Sequence, residues 1–148
     1  MINKLKQDLI VAMKTKNTTN RDVLQLLISS FNNYIKENKL TILTSEQELT
    51  LVQKELKQNR ESLEFAIKSG RQNLIDESNL KINLLLSYLP QQLGELEIEE
   101  VIKQAIAKLN LAQLIKSDKG KIMKEIMPLL KGKTDGKTID TVLSRFIV

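Results

Sequence analysis

The residues with the most chemical character in this chain of 148 residues lie between Leu129 and Asp140, in LLKGKTDGKTID. Gly132 and Gly136 are each followed by a lysine, and Gly136-Lys137-Thr138 ends like G-x-x-x-x-G-K-[ST], the loop that cradles nucleotide phosphates with backbone N–H groups. That loop would need its first glycine at position 131, which is Lys131; Gly132 leaves only three residues between the glycines. It would also need a buried strand leading into it, and Lys124 to Lys131 has the apolar spacing of a helix. Spacing and context both argue against a nucleotide triphosphate site.

Other catalytic chemistry is equally restricted. The chain has no His and no Cys, so it lacks the commonest general base, the imidazole and thiolate metal ligands, and the most reactive nucleophile. Glu95, Glu97, Glu99 and Glu100 cluster where a helix begins, a place where acidic residues favour the helix dipole. No loop has the D-x-D-x-D spacing of a hard-cation site. The expectation is a protein with no catalytic residues, metal site or cofactor of its own.

The remaining chemistry is charge. Residues 116 to 137 hold seven lysines (116, 119, 121, 124, 131, 133 and 137) against Asp118, Glu125 and Asp135, a net +4 where the whole chain carries +5. A solvated lysine-rich face would account for the count alone. The arrangement says more, because the lysines flank glycines, where the missing side chain lets backbone N–H groups approach an anion. That combination suits contact with phosphates. Tyr34, Tyr88 and the three phenylalanines are scattered, so no aromatic platform for stacking single-stranded bases is expected.

These residues need helices to position them. Aromatics are only 3%, hydrophobic residues 41%, and two prolines and five glycines leave few breaks among good helix formers. The expectation is an all-α fold with an aliphatic core. A first helix spans about residues 2 to 16, with Ile2, Leu5, Leu9 and Ala12 or Met13 inward, closed by the polar run at 17 to 20. A second covers about 21 to 39, with Leu24, Leu27, Ile28, Phe31 and Ile35 on one face. Thr44 or Ser45 caps a long third helix, whose stripe of Leu49, Val52, Leu56, Leu63 and Ile67 runs to a stop at Gly70. A fourth carries Leu74, Ile75, Ile82, Leu85 and Leu86 until Pro90 forces an end near Tyr88, and it pairs antiparallel with the third.

Beyond Pro90 three shorter helices are expected. They are an acidic one at about 97 to 109 (Val101, Ala105, Ile106 and Leu109 inward), a basic one at about 118 to 131, and a last one at about 137 to 147 (Ile139, Val142, Leu143 and Phe146 inward). Met123, Met127 and Leu130 share a face of the basic helix and read as core, and Pro128 should kink it or end it early. The organisation is thus a lobe of long helical hairpins over 1–90 followed by a small basic lobe over 91–148. No apolar run is long enough to span a bilayer, and no signal-like segment opens the chain, so a cytoplasmic protein without membrane contact is expected.

The stretches KQNRES at 57 to 62, AIKSGRQNLI at 66 to 75, YLPQQL at 88 to 93 and GKIMKEIMPLLKGKTDGKTI at 120 to 139 occur in an order that resembles the YqeY family across the whole chain. Members of this family share a fold with the tail domain of GatB, a subunit of the glutamine-dependent aminoacyl-tRNA amidotransferase (a carbon-nitrogen ligase). Two positions depart from the pattern. Gly94 stands where relatives offer a serine-like cap, which should weaken the start of the acidic helix, and Asn59 replaces a second basic residue. The resemblance implies a tRNA-binding or accessory protein of translation, without the kinase-like GatB domain or an amidase centre. RNA contact carries over to Gly120, Lys121, Lys131, Gly132, Gly136 and Lys137, with Lys133 in the same loop. The implied partners are tRNA and an amidotransferase subunit or another translation protein, with no DNA. The alternative is a protein-interaction module whose long helical lobe docks an amidotransferase or a ribosome-associated partner, the lysines serving solubility.

The missing imidazole, thiol and phosphate loop generate the first prediction. The purified chain should hydrolyse neither ATP nor glutamine. Turnover of either substrate that disappears on changing one acidic residue of this chain would contradict it.

Overall fold

A computed structural model describes residues 1–148. The chain is all α-helical, with seven α-helices: α1 (Ile2–Lys14), α2 (Thr18–Glu37), α3 (Ser45–Ser69), α4 (Gln72–Leu86), α5 (Glu95–Lys108), α6 (Lys119–Leu130) and α7 (Gly136–Ser144). A single 3₁₀ turn at Lys116–Asp118 precedes α6. The only β-type pairing is an isolated parallel bridge between Leu114 and Ile147, where the Val148 N–H donates to the Leu114 carbonyl at 2.9 Å. Two compact units divide the chain, Met1–Leu89 and Pro90–Val148.

The first unit is two helical hairpins. α1 packs along α2 and α3 along α4, and α2 touches both members of the second hairpin. Leu5, Leu24, Leu27, Phe31, Val52, Leu56 and Leu85 form the centre of its core. Polar residues 17 to 20 do not form a separate linker. The Asn17 side chain accepts the Asn20 N–H at 3.1 Å and so caps α2, whose first turn is Thr18 to Asn20. Between α1 and α2 the chain therefore turns within Thr15 to Asn17. The Tyr88 hydroxyl donates to the Asp8 carboxylate, and Lys4 Nζ lies 5.4 Å from the centre of the Tyr88 ring. Burial, reinforced by the hydrogen bond and charge of Asp8, holds the Tyr88 phenol well above its usual range, so the hydroxyl stays a donor.

α3 is the longest helix, with 25 residues, or about 37 Å at the α-helical rise. Thr44 and Gln47 form a reciprocal capping box at its start, with the Gln47 N–H donating to the Thr44 hydroxyl at 3.2 Å and the Thr44 N–H to the Gln47 side chain at 2.9 Å. Its inward stripe differs from the expected one. Leu51, Val52, Leu56 and Ala66 are buried, while Ile67 is 57% exposed. A near-heptad stripe drifts off the seam of a straight helix because 3.6 residues make a turn, so the sequence Val52, Leu56, Asn59, Leu63, Ala66 is the one that faces α4. Asn59 is tolerated there because its side chain donates back to the Glu55 carbonyl at 2.8 Å.

Four helices end on a left-handed residue whose N–H and the next one return to the last turn. These are Lys16 (φ 58), Lys39 (φ 53), Gly70 (φ 69) and Asn110 (φ 55). Glycine adopts this backbone without strain, and lysine does not. Lys39→Gly should therefore stabilise the first unit by about 0.5–1 kcal/mol, since relief of left-handed strain exceeds the extra freedom glycine gains in the unfolded chain. Urea unfolding is the measurement, and a neutral or destabilising result would refute the assigned turn.

Candidate nucleic-acid interface

The lysines and glycines singled out in the sequence belong to the second unit, so their positions follow from how it packs. Ile98, Ile102, Ile122, Ile126, Leu130, Ile139, Val142 and Leu143 form the centre of the core, and α5 packs against both α6 and α7. Val101, Ile106 and Leu109 only flank this core, as do Met123 and Met127. Ile98 and Ile102 lie at its centre, on one face with Ala105, and α5 begins at Glu95, earlier than the expected 97. Gly94 offers no side-chain cap, but the Glu97 carboxylate accepts the Gly94 N–H at 3.0 Å. That bond, made from the third helical position, supports the start that glycine was expected to weaken. Arg145 ties α7 to the same end of α5, reaching Glu95 at 2.9 Å and Glu99 at 3.3 Å, and these carboxylates raise its pKa further.

Pro128 neither shortens nor breaks α6, which continues to Leu130. Its exposed position leaves the Lys124 carbonyl on the solvent side, where water can replace the missing bond. The chain then turns at once. Lys131 (φ −57, ψ 124) and Gly132 (φ 78) have the dihedrals of a type II turn, closed by the Lys133 N–H to the Leu130 carbonyl at 2.9 Å. The second central position of such a turn needs a positive φ, which accounts for Gly132.

Gly132 is buried, and its backbone is already engaged within the unit. The Gln92 amide donates to the Gly132 carbonyl at 2.7 Å and to the Pro90 carbonyl at 3.0 Å, and the Leu93 N–H donates to the Lys133 carbonyl at 2.9 Å. The PQQL and KGK segments, far apart in sequence, thus meet as one hydrogen-bonded corner. Sequence spacing carried no signal for Gln92, because its two acceptors are backbone carbonyls brought together only by folding. A second refinement concerns the next helix. Asp135 caps α7, accepting the Thr138 N–H at 2.7 Å, and Thr138 is the third residue of the helix. α7 ends at Ser144, and the half-buried Phe146 and Ile147 pack back against the core outside the helix.

The seven residues expected to contact RNA fall into two groups. Gly120 and Lys121 are exposed in the first turn of α6, while Lys131, Gly132, Lys133, Gly136 and Lys137 lie after its last turn. Ten residues of helix separate Lys121 from Lys131, about 15 Å along the axis. Gly120 and Gly136 are exposed helical positions with open space where a Cβ would stand. Lys116, Lys121, Lys124 and Lys137 are exposed and Lys133 is half-buried, and none of the five forms an ion pair. Lys119 is engaged with Asp140 at 3.1 Å. What the arrangement offers an anion is a set of unpaired ammonium groups spaced along and around α6, with Gly132 serving the fold of the turn. No cluster of acidic side chains could hold a metal ion, and no helix is long and apolar enough to cross a membrane.

Comparison with known proteins agrees with the resemblance in the motifs. The sequence profile of a family described as Yqey-like protein matches residues 2–147. Among curated proteins, the chain is similar to "Altered inheritance of mitochondria protein 41, mitochondrial" of Pyrenophora tritici-repentis, with 27% identity over 135 residues that cover 90% of this chain and 72% of the relative.

The turn geometry generates a prediction that requires no ligand. Gly132→Ala should lower the stability of the second unit by about 1–2 kcal/mol through left-handed strain. Gly136→Ala, in an open helical position, should be neutral or stabilise by up to about 1 kcal/mol. Thermal melts of the two variants give the comparison; equal effects would argue against the type II turn.

Proposed function

The chain belongs to the YqeY family, and from that premise we propose that it is a tRNA-binding or accessory protein of translation, gripping RNA phosphates with the lysines of its second unit. The observation that carries this reading is the set of unpaired lysines along and around α6, in a unit where Lys108, Lys119 and Arg145 are each engaged with carboxylates. Unpaired lysines placed before, within and after α6 suit several backbone phosphates rather than one small anion. The similarity of the family to the tail domain of GatB supports tRNA as the RNA. Catalysis of amide transfer would then belong to a partner, because this chain has no His or Cys and no phosphate loop. A cytoplasmic setting is part of the same reading.

Lys121, Lys131, Lys133 and Lys137 make the contacts, and the small Gly120 and Gly136 let a strand approach the backbone beside them. Gly132 contributes indirectly, by fixing where Lys131 and Lys133 stand. Asp135 already takes the Thr138 amide at the start of α7, which favours attraction by lysines over a shaped amide cradle.

Replacing Lys121, Lys133 and Lys137 together by Ala should weaken tRNA binding and reduce the slope of log affinity against log salt by up to about one unit for each phosphate that is no longer neutralised. Helical content should not change, because such surface substitutions shift stability by less than about 0.5 kcal/mol each. If the triple variant binds tRNA like the parent at every salt concentration, this unit does not hold RNA and a protein-docking role becomes the better reading.

A further inference from the structure

The basic surface of the second unit has a counterpart of equal charge in the first. Residues 1–21 carry Lys4, Lys6, Lys14, Lys16 and Arg21 against Asp8 alone, a net +4, while residues 22–115 hold ten basic and thirteen acidic residues. Asp8 is half-buried, accepts the Tyr88 hydroxyl, and with Lys4 and Val11 lines a second hollow at one edge of the outer side of α1. That outer side also exposes Ile10 (52%), Val11 (58%) and Met13 (56%). With 3.6 residues per turn, the order around the exposed arc is Met13, Lys6, Ile10, Asn3, Lys14, Gln7, Val11, Lys4, so basic side chains stand between apolar ones with Asn3 and Gln7 among them. Beside Met13, the turn into α2 forms a hollow of about 330 Å³ lined by Ala12, Met13, Lys16, Asn17, Thr18 and Arg21.

Each feature narrows the occupant. Lysines between the apolar groups call for carboxylates placed between apolar anchors on the other side. The hollow has the size to receive one anchoring side chain, as in a helix-in-groove contact. A bilayer surface offers no such knob, and the face has no Trp, Tyr or Phe of the kind that anchors helices at a lipid interface. RNA phosphates would gain from the lysines but nothing from Ile10, Val11 and Met13. We infer that the outer face of α1 and the α1–α2 turn dock an acidic amphipathic helix of a partner protein, with one apolar side chain of that helix seated in the hollow beside Met13. This surface is built from residues of the first unit, the lysines assigned to RNA from those of the second.

The test titrates the full chain with a labelled synthetic helix carrying leucines at i, i+3, i+4 and i+7 and glutamates at the flanking positions. A second peptide has glutamine in place of each glutamate. Phosphatidylserine vesicles and tRNA serve as competing surfaces. The expected result is saturable binding of the acidic peptide, with the glutamine peptide weaker by about tenfold or more. Binding should fall by a similar factor in Ile10→Asp/Met13→Asp and in Lys6→Glu/Lys14→Glu, and persist in Ile67→Asp, which alters an exposed residue of α3. The two double variants fail independently, so if one misfolds by circular dichroism the other still decides. Absence of peptide binding, binding unchanged in a folded double variant, or a stronger response of the vesicles or tRNA to the same substitutions would each overturn the inference.

Discussion

Aliphatic side chains withdrawn from water along one face of each helix hold both units, and no other strong restraint stands beside them. There is no cysteine to cross-link the chain and no cluster of ligands for a metal. Phe31 and Tyr88 are the only buried aromatics of the first core, and the buried centre of the second is wholly aliphatic. Burial worth about 25 cal/mol per Å² is non-directional, so it selects which face turns inward but not where a helix must stop. Directional bonds at the helix ends supply that information.

Those end bonds connect the fold to the candidate sites. The left-handed closure at Lys16 sets the turn whose floor is the hollow beside Met13. The type II turn at Lys131 and Gly132 places Lys133 at the corner secured by Gln92 and Leu93. In both units, positive side chains stand next to a turn that the backbone, not the charge, has shaped. The turns fix the Cα positions of these lysines, whose long side chains suit contact with phosphates or carboxylates of a partner.

Charge also divides the chain in a way that the total of +5 conceals. Two basic segments of +4 flank an acidic middle. The middle is partly structural, since Glu95 and Glu99 engage Arg145 and Glu97 supports the start of α5. The unpaired lysines of α6 have no such employment within their unit, and the lysines on the outer face of α1 stand beside exposed apolar groups. The family profile identifies relatives over the whole chain without assigning work to either surface. Their different surroundings, with Ile10, Val11 and Met13 exposed among the lysines of α1 and Leu129 the one large apolar side chain exposed on α6, are the physical basis for giving them different partners.

The sequence by itself determined the helical class, the seven helices, and most inward faces, because these follow from local spacing: Leu24, Leu27 and Phe31, or Ile139, Val142 and Leu143, must share a side at 3.6 residues per turn. It also determined the stop at Gly70, where residue type and left-handed backbone go together. Tertiary structure alone decided the rest. Ala66 replaced Ile67 on the α3 seam because only a partner helix fixes which of two adjacent apolar positions is covered. Pro128 remained inside α6 because the carbonyl it deprives faces water. Gly132, which in sequence looked like an opening toward a ligand, became a buried turn residue, since the Gln92 side chain that holds its carbonyl comes from 40 positions earlier in the chain. Local patterns report on neighbours along the helix, and a contact across that separation exists only once the aliphatic core has brought its two ends together.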